Sequence, residues 1–143
     1  AAALVACGAP ADDPALADGN YVTPAVFADC TDDMAFVTDE VFGPLMAVLP
    51  FDDEAEAIAR ANATYYGLAG AVFSSDIARA NRVANAIQAG FVWINDYGTM
   101  PAPVPFGGYK HSGLGRENGA MSIDHYTQIK TIYTNLGRVE RHL

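Results

Sequence analysis

The chain of 143 residues has few basic residues, two cysteines and no long apolar run. Eight Lys and Arg against 17 Asp and Glu give a formal net charge of −9. Nucleic acid is a disfavoured partner, because phosphate binding needs clustered cations. No apolar run approaches the ~20 residues that a membrane span requires. The opening AAALVACGAP is apolar but lacks a positively charged start, so it does not fit a signal peptide.

The two cysteines, Cys7 and Cys30, show neither a CxxC pair nor a metal-ligand spacing. We therefore expect a reduced, cytoplasmic setting. The chain does not begin with Met, so we expect a piece of a longer protein. Its hydrophobic content of 51% and its length predict one compact domain with a core.

Apolar segments punctuated by turn residues predict an α/β fold. Strands are predicted at Ala2 to Cys7, Tyr21 to Phe27, Pro44 to Phe51, Leu68 to Phe73 and Phe91 to Ile94. The first should be a buried strand, with a helix as the alternative because of its alanines. Pro24 should make the second an edge strand. The alternation of strands and helices after residue 44 predicts parallel βαβ crossovers.

Helix signals separate these strands. A single turn is predicted at Asp32 to Met34, a helix from Asp52 to Tyr66-Gly67, another from Ser75 or Asp76 to Gly90, and a short one at Glu117 to Tyr126. The alternating segment Gln128 to Leu136 predicts a final strand with both faces partly apolar.

The segment EVFGP places Glu40 two residues before Phe42. A carboxylate can hold two vicinal hydroxyls, as on a ribose, and an aromatic side chain can pack on a flat ring. The alternative is a solvated acid beside a core phenylalanine, and composition alone favours it.

A loop rich in Gly and Pro runs from Tyr97 to Gly115. Loops of this length inside compact domains are usually functional or disordered. Tyr97, Met100 and Phe106 could surround a quaternary ammonium group through cation–π attraction, aided by the acid Asp96. The alternative is a surface loop with two buried anchors.

The segment GGYKHSGLGREN carries no phosphate motif. Gly108 and Gly113 have the spacing of a P-loop, but Leu114 stands where its lysine belongs. A Rossmann fingerprint would need a third glycine where Asn118 stands.

Two segments together, EVFGP at Glu40 to Pro44 and PFGGYKHSGLGREN at Pro105 to Asn118, resemble the C-terminal third of the aldehyde dehydrogenase superfamily. The surrounding sequence is most similar to its betaine-aldehyde branch. The resemblance implies a partial catalytic α/β domain over 1–127, followed by an oligomerisation strand and tail over 128–143. In this family the strand Gln128 to Leu136 joins a neighbouring subunit, which implies a homo-oligomer.

The resemblance also implies NAD(P)-dependent oxidation of an aldehyde to a carboxylate through a cysteine thiohemiacetal. Glu40 would bind the nicotinamide ribose, and Phe42 would pack near the nicotinamide. Tyr97, Met100 and Phe106 would line the aldehyde pocket or its entrance. The betaine branch often carries Trp where Tyr97 stands, which departs from its pattern.

Further roles follow from the second segment. Backbone carbonyls of Lys110 and Gly113 match positions that bind potassium in some relatives. Arg116 should form an ion pair that supports assembly. Glu117 matches an acid proposed to relay protons, and the alternative is an acid at a helix start.

The GQ-x-C pattern around the family's nucleophile is absent, and both cysteines match non-catalytic positions. We therefore expect the nucleophile outside this chain and no activity from the chain alone. One alternative is a non-catalytic, self-associating α/β module. A weaker one is an unrelated α/β binding domain, in which no Glu40–ribose site forms beside Phe106.

Overall fold

The strands form two small sheets in the computed structural model, which describes residues 2–8 and 13–137. The first sheet has the order β1 (Ala3–Cys7), β2 (Ala25–Ala28), β3 (Leu45–Ala47), with β2 antiparallel to β1 and parallel to β3. The second sheet pairs β4 (Ala69–Val72) with β5 (Phe91–Ile94) in parallel. The predicted α/β class is confirmed.

Four helices flank or follow the sheets in the described part of the chain: α1 (Ala35–Thr38), α2 (Glu54–Asn62), α3 (Ile77–Ala86) and α4 (Ile123–Tyr126). Short 3-10 turns lie at Pro14–Leu16, Lys110–Ser112 and Ala120–Ser122. The carboxylate of Asp76 accepts the N–H groups of Ala78 and Arg79 and so caps α3. None of the described helices is long and apolar enough to cross a bilayer.

The unit β4–α3–β5 has the predicted parallel arrangement, but two details of the strand predictions are wrong. Among the described residues β3 pairs with β2 and not with β4, so the two sheets are separate. The strand β2 is central rather than an edge strand. Pro24 precedes its ladder and contributes only a carbonyl, which accepts the N–H of Gly8, so its missing N–H costs nothing.

Two predicted elements end differently. The helix α2 ends at Asn62, short of Tyr66-Gly67, because the following turn contacts the second sequence segment instead. The segment Gln128 to Leu136 is exposed and forms no strand in the single chain. A strand needs a hydrogen-bonded partner, and no other described segment supplies one here. Residues 138–143 lie outside the described part of the chain.

The prediction of a substantial core is wrong for this chain by itself. Only two apolar side chains in the described part are fully buried, Cys30 and Ala80. Every residue of β1 is exposed, although a buried strand was predicted. The accessible surface is 11344 Å², whereas a compact monomer of 15.1 kDa exposes about 7,000 Å². Much apolar surface therefore lacks cover.

Glycines hold the second sequence segment against the start of the second sheet. Gly67 lies two residues before β4 and Gly90 lies directly before β5, and the N–H of Gly90 donates to the carbonyl of Gly67 at 3.0 Å. A Cβ at Gly90 would overlap the carbonyl oxygen of Gly107, and a Cβ at Gly67 would lie 2.8 Å from the carbonyl oxygen of Gln88. The approach of these backbones requires glycine.

Substitution of Gly90 tests this contact. We expect Gly90→Ala to lower the free energy of unfolding of this chain by about 2 kcal/mol or more, because overpacking against a backbone carbonyl cannot relax through a side chain. Gly43→Ala is the control, since its Cβ would meet only Val41 at ordinary distances of 3.8 Å or more. Urea unfolding measures both. Equal midpoints for G90A and wild type would contradict the packing argument.

A bidentate ion pair joins α2 to α3. The guanidinium of Arg82 donates to both carboxylate oxygens of Glu54, at 2.6 and 2.8 Å. This hydrogen bond is the main cause that lowers the pKa of Glu54 from its ordinary value of 4.5. The folded chain therefore favours the ionised form. The stabilisation is present above that ordinary value and is lost as the pH falls through the lowered pKa.

Glu54→Gln should consequently lower the melting temperature at pH 7, and the difference from wild type should shrink as the pH falls below about 4. Thermal unfolding followed by circular dichroism across this range measures the effect. Asp18→Asn, which removes one negative charge from an exposed loop, serves as the control. A Glu54→Gln difference that grows on acidification would exclude this assignment.

Candidate functional site

A cleft of about 640 Å³ brings the two sequence segments together where β4 begins. Asp39 and Glu40 form part of its wall, and His111, Ser112 and Gly113 form another part. The backbone from Gly67 to Ala69 lies between them. Segments separated by about seventy positions thus share one concave surface.

Glu40 lies on this wall, whereas Phe42 is not among the lining residues and is 92% exposed. The backbone of Phe42 has a φ of 53°, a left-handed conformation that a bulky residue rarely adopts. Such strain clusters at active sites, ligand clamps and switch regions. The assignment of both residues to a cofactor stays a prediction.

Three hydrogen bonds fasten the second segment to the turn before β4. The N–H of Tyr109 donates to the carbonyl of Gly67 at 2.7 Å, and the N–H of His111 donates to the carbonyl of Tyr65 at 3.0 Å. The N–H of Gly67 donates to the Ser112 hydroxyl at 2.9 Å. The loop segment is therefore fixed relative to the sheet.

Lys110 completes this attachment. Its ammonium donates to the carbonyls of Asn62 and Thr64, both at 2.9 Å. These carbonyls lie at the carboxyl end of α2, where backbone acceptors lack helical partners and the dipole favours a cation. The side chain of Lys110 therefore ties the loop to a helix end, a structural role that the sequence did not predict.

The carbonyl-rich surface proposed for potassium carries cationic groups of its own. Lys110 and Gly113 line a second cleft of about 430 Å³, together with Arg116. The guanidinium of Arg116 donates to the carbonyls of Gly108 at 3.0 Å and Gly115 at 2.7 Å. Among the described residues it forms no ion pair. The assignment of the Lys110 and Gly113 carbonyls to potassium stays a prediction.

A row of four aromatic rings lies along one face of β5. Ring centroids are 5.4 Å apart for Tyr97 and Trp93, 4.6 Å for Trp93 and Phe91, and 6.0 Å for Phe91 and Phe106. The indole N–H of Trp93 donates to the carbonyl of Thr99 at 2.7 Å. Sequence analysis missed Trp93 and Phe91 as members of this surface. Their i, i+2 spacing in a strand was the available signal.

The predicted pocket residues occupy different ends of this row. Tyr97 is 76% exposed and Met100 is 47% exposed, just beyond the carboxyl end of β5. Phe106 lies at the other end, beside the first residue of the strand. In this chain the three side chains do not surround a common pocket, and their role at the aldehyde pocket stays a prediction.

Asn95 fixes the end of the second sheet. Its amide donates to the carbonyl of Ser74 at 2.9 Å and accepts the N–H of Ser74 at 2.8 Å. Its φ of 55° turns the chain out of β5 at this point. The loop that carries Tyr97 therefore starts from a rigid position.

Glu117 is connected to Phe106 through the backbone. Each donates its N–H to the carbonyl of the other, at 2.7 and 2.8 Å. The exposed carboxylate of Glu117 accepts the Tyr126 hydroxyl at 3.3 Å. The alternative of an acid at a helix start is wrong, because α4 begins at Ile123 and the turn before it begins at Ala120. The proton relay stays a prediction.

The two thiols have different surroundings. Cys30 is 4% exposed and donates to the carbonyl of Phe27 at 3.4 Å. Cys7 is exposed in β1 and donates to the carbonyl of Gly8 at 3.4 Å. Cys30 is therefore a buried thiol, and Cys7 is not.

Comparison with known proteins agrees with the resemblance carried by the two segments. The model of the aldehyde dehydrogenase family matches residues 1–132. The betaine aldehyde dehydrogenase of Agrobacterium fabrum is 55% identical over 123 residues, which cover 86% of this chain and 25% of that protein. The 4-trimethylaminobutyraldehyde dehydrogenase A of Danio rerio is 55% identical over 129 residues, which cover 90% of this chain and 25% of that protein.

A solved structure agrees at the level of the fold. The NAD+ complex of the aldehyde dehydrogenase from Bacillus cereus superposes with a TM-score of 0.85 and 47% identity, over 95% of this chain and 27% of that chain. This chain spans about a quarter of the length of the relatives that it matches. It belongs to the aldehyde dehydrogenase family.

Proposed function

We propose that this chain is a section of the catalytic domain of an NAD(P)-dependent aldehyde dehydrogenase, with a cationic aldehyde as substrate. The observation that carries the proposal is the cleft where Glu40 meets His111, Ser112 and Gly113. This cleft unites the two segments that carry the family resemblance. Its volume of about 640 Å³ falls within the range of small-molecule sites.

The cofactor site would use Glu40 as one wall. A carboxylate accepts two hydrogen bonds from vicinal hydroxyls, which matches the nicotinamide ribose. Phe42, exposed on a strained turn two residues later, would offer its ring to the flat nicotinamide. When bound, the cofactor supplies a hydride acceptor. The residues described thus fit the ribose end of the cofactor and leave its other walls to further polypeptide.

A trimethylammonium aldehyde suits the chemistry of the other surface. The aromatic row that ends at Tyr97 offers ring faces to a cation, and Asp96 adds a negative charge beside it. The net charge of −9 attracts cationic substrates in general. The names of the two curated relatives designate aldehydes with trimethylammonium groups, which supports the same substrate class.

The nucleophile would lie in further polypeptide. Cys30 is buried, and among the described residues neither cysteine forms a hydrogen bond with a basic side chain. The large uncovered surface independently indicates that more polypeptide packs on this section. Both cysteines are free, and we keep a reduced, cytoplasmic setting as part of the proposal.

The chain alone should therefore form no NADH from NAD and betaine aldehyde. Absorbance at 340 nm over hours at micromolar protein measures this. Cys7→Ser and Cys30→Ser variants serve as controls and should match the wild-type background. Turnover that disappears in either variant would place the nucleophile inside this chain and would overturn that part of the proposal.

Glu40→Gln tests the cofactor wall in the complete enzyme that we propose contains this section. Loss of a charged acceptor for ribose hydroxyls should lower kcat/KM for NAD by about tenfold. Steady-state kinetics at saturating aldehyde measure it, and Asp18→Asn is the control for charge removal. Unchanged kcat/KM for NAD in E40Q would remove Glu40 from the cofactor site.

A second candidate function is self-association without catalysis, and a specific observation favours it. Four large side chains of the segment 128–136 are almost fully exposed: Ile129 (101%), Ile132 (79%), Tyr133 (87%) and Leu136 (95%). An extended apolar segment with unpaired backbone groups can pair with a second copy.

We expect this chain to sediment as a dimer or larger species at micromolar concentration in analytical ultracentrifugation. Ile132→Asn should shift it towards monomer, because the change removes exposed apolar surface from the pairing segment. Val22→Asn is the matched control, because Val22 lies in the loop before β2 and its apolar side chain is 74% exposed. A wild-type monomer would exclude self-association through this segment.

A further inference from the structure

One side-chain hydrogen bond connects Asp39, the residue before the first sequence segment, to Tyr65 in the turn that holds the second segment. The Tyr65 hydroxyl donates to Oδ1 of Asp39 at 3.2 Å, across 26 positions of sequence. Among the described residues no other side chain from outside α1 and its cap forms a hydrogen bond with residues 39–44. This contact therefore contributes to the position of Glu40 relative to the second segment, beside the backbone bond from the N–H of Ala25 to the carbonyl of Pro44 at 2.9 Å.

Asp39 is fixed at two points, and Glu40 follows it directly. The N–H of Asp39 donates to the carbonyl of Ala35 at 2.8 Å and ends α1. Its carboxylate accepts the Tyr65 hydroxyl. With the backbone and the side chain of Asp39 both held, the direction in which the next residue leaves the helix is restricted.

Tyr65 is itself held by the second segment. Its carbonyl accepts the N–H of His111 at 3.0 Å, and its ring centroid lies 5.7 Å from that of His111. The preceding carbonyl, of Thr64, accepts the Lys110 ammonium at 2.9 Å. A shift of the second segment would therefore move the hydroxyl that holds Asp39.

The Tyr65 hydroxyl also makes the two adjacent acids, Asp39 and Glu40, different from each other. Asp39 and Glu40 both line the cleft, and both are acceptors. The hydroxyl occupies an oxygen of Asp39 and leaves the Glu40 carboxylate without a described hydrogen-bond partner. Hydroxyl groups of a ligand in the cleft would therefore bind the carboxylate of Glu40, because that of Asp39 already accepts a hydrogen bond.

We propose that Tyr65 is a positioning residue, which orients Glu40 towards the ribose of the nicotinamide cofactor by holding Asp39. This inference rests on the proposed function of Glu40 and extends it to a residue outside both sequence segments. The hydroxyl of Tyr66 and the carboxylate of Asp39 raise the pKa of Tyr65 from its ordinary value of 10.0 to about 12.

Tyr65→Phe removes the donor and keeps the ring. In the complete enzyme we expect the KM for NAD to rise about fivefold, with kcat changed less than twofold, because the carboxylate remains present but is less well oriented. Asp39→Asn is the second variant, which weakens the acceptor from the other side. Tyr21→Phe is the matched control, since this exposed tyrosine hydroxyl has no described partner.

The double variant Glu40→Gln/Tyr65→Phe separates a positioning role from a general loss of stability. If Tyr65 acts through Glu40, Y65F should add nothing to the KM of E40Q. A full fivefold effect of Y65F in the E40Q background would overturn the inference. If E40Q raises the KM for NAD and Y65F leaves it unchanged, the inference is overturned and the proposed function stands. If E40Q leaves the KM for NAD unchanged, both the proposed function of Glu40 and the inference are overturned.

Discussion

The described site depends on a close backbone contact that only glycine permits. Gly67 is buried, and its carbonyl accepts N–H groups from both Gly90 and Tyr109. Gly90 in turn lies against Gly107, with no space for a Cβ between them. This contact places the second sequence segment at the amino ends of β4 and β5. Without it, His111 and Ser112 would not reach the wall that Glu40 occupies.

Five described non-glycine residues have left-handed backbone, and hydrogen bonds of their own side chains hold two of them, Lys110 and Asn95. Lys110, with a φ of 51°, is held by two carbonyls at the end of α2. Asn95, with a φ of 55°, is held by two hydrogen bonds to Ser74. Phe42 has the same conformation but is 92% exposed, so packing within the chain does not explain it. Strained backbone clusters at active sites and ligand clamps, which supports the proposed role of Phe42.

Sequence was sufficient for the local features and insufficient for those that depend on distant partners. The β4–α3–β5 unit follows from Asp76 as a cap and from short apolar strands, which are properties of adjacent residues. The central place of β2 depends on pairing with both β1 and β3, which Pro24 does not reveal. The bonds from Lys110 to Asn62 and from Tyr65 to Asp39 span 48 and 26 positions. No local pattern encodes such pairs.

Exposure also sets how much the aromatic row can contribute to substrate choice. A cation over an exposed ring gains about 0.5–1 kcal/mol, and about 2 kcal/mol when both are removed from water. Tyr97 is 76% exposed, so in this section alone it operates at the lower value. The difference of about 1 kcal/mol is a factor of roughly five in affinity. If the proposed substrate class is right, discrimination of a trimethylammonium aldehyde would depend on further polypeptide that covers this face. The ring of Tyr97 lies 5.4 Å from that of Trp93, which would fix its position there.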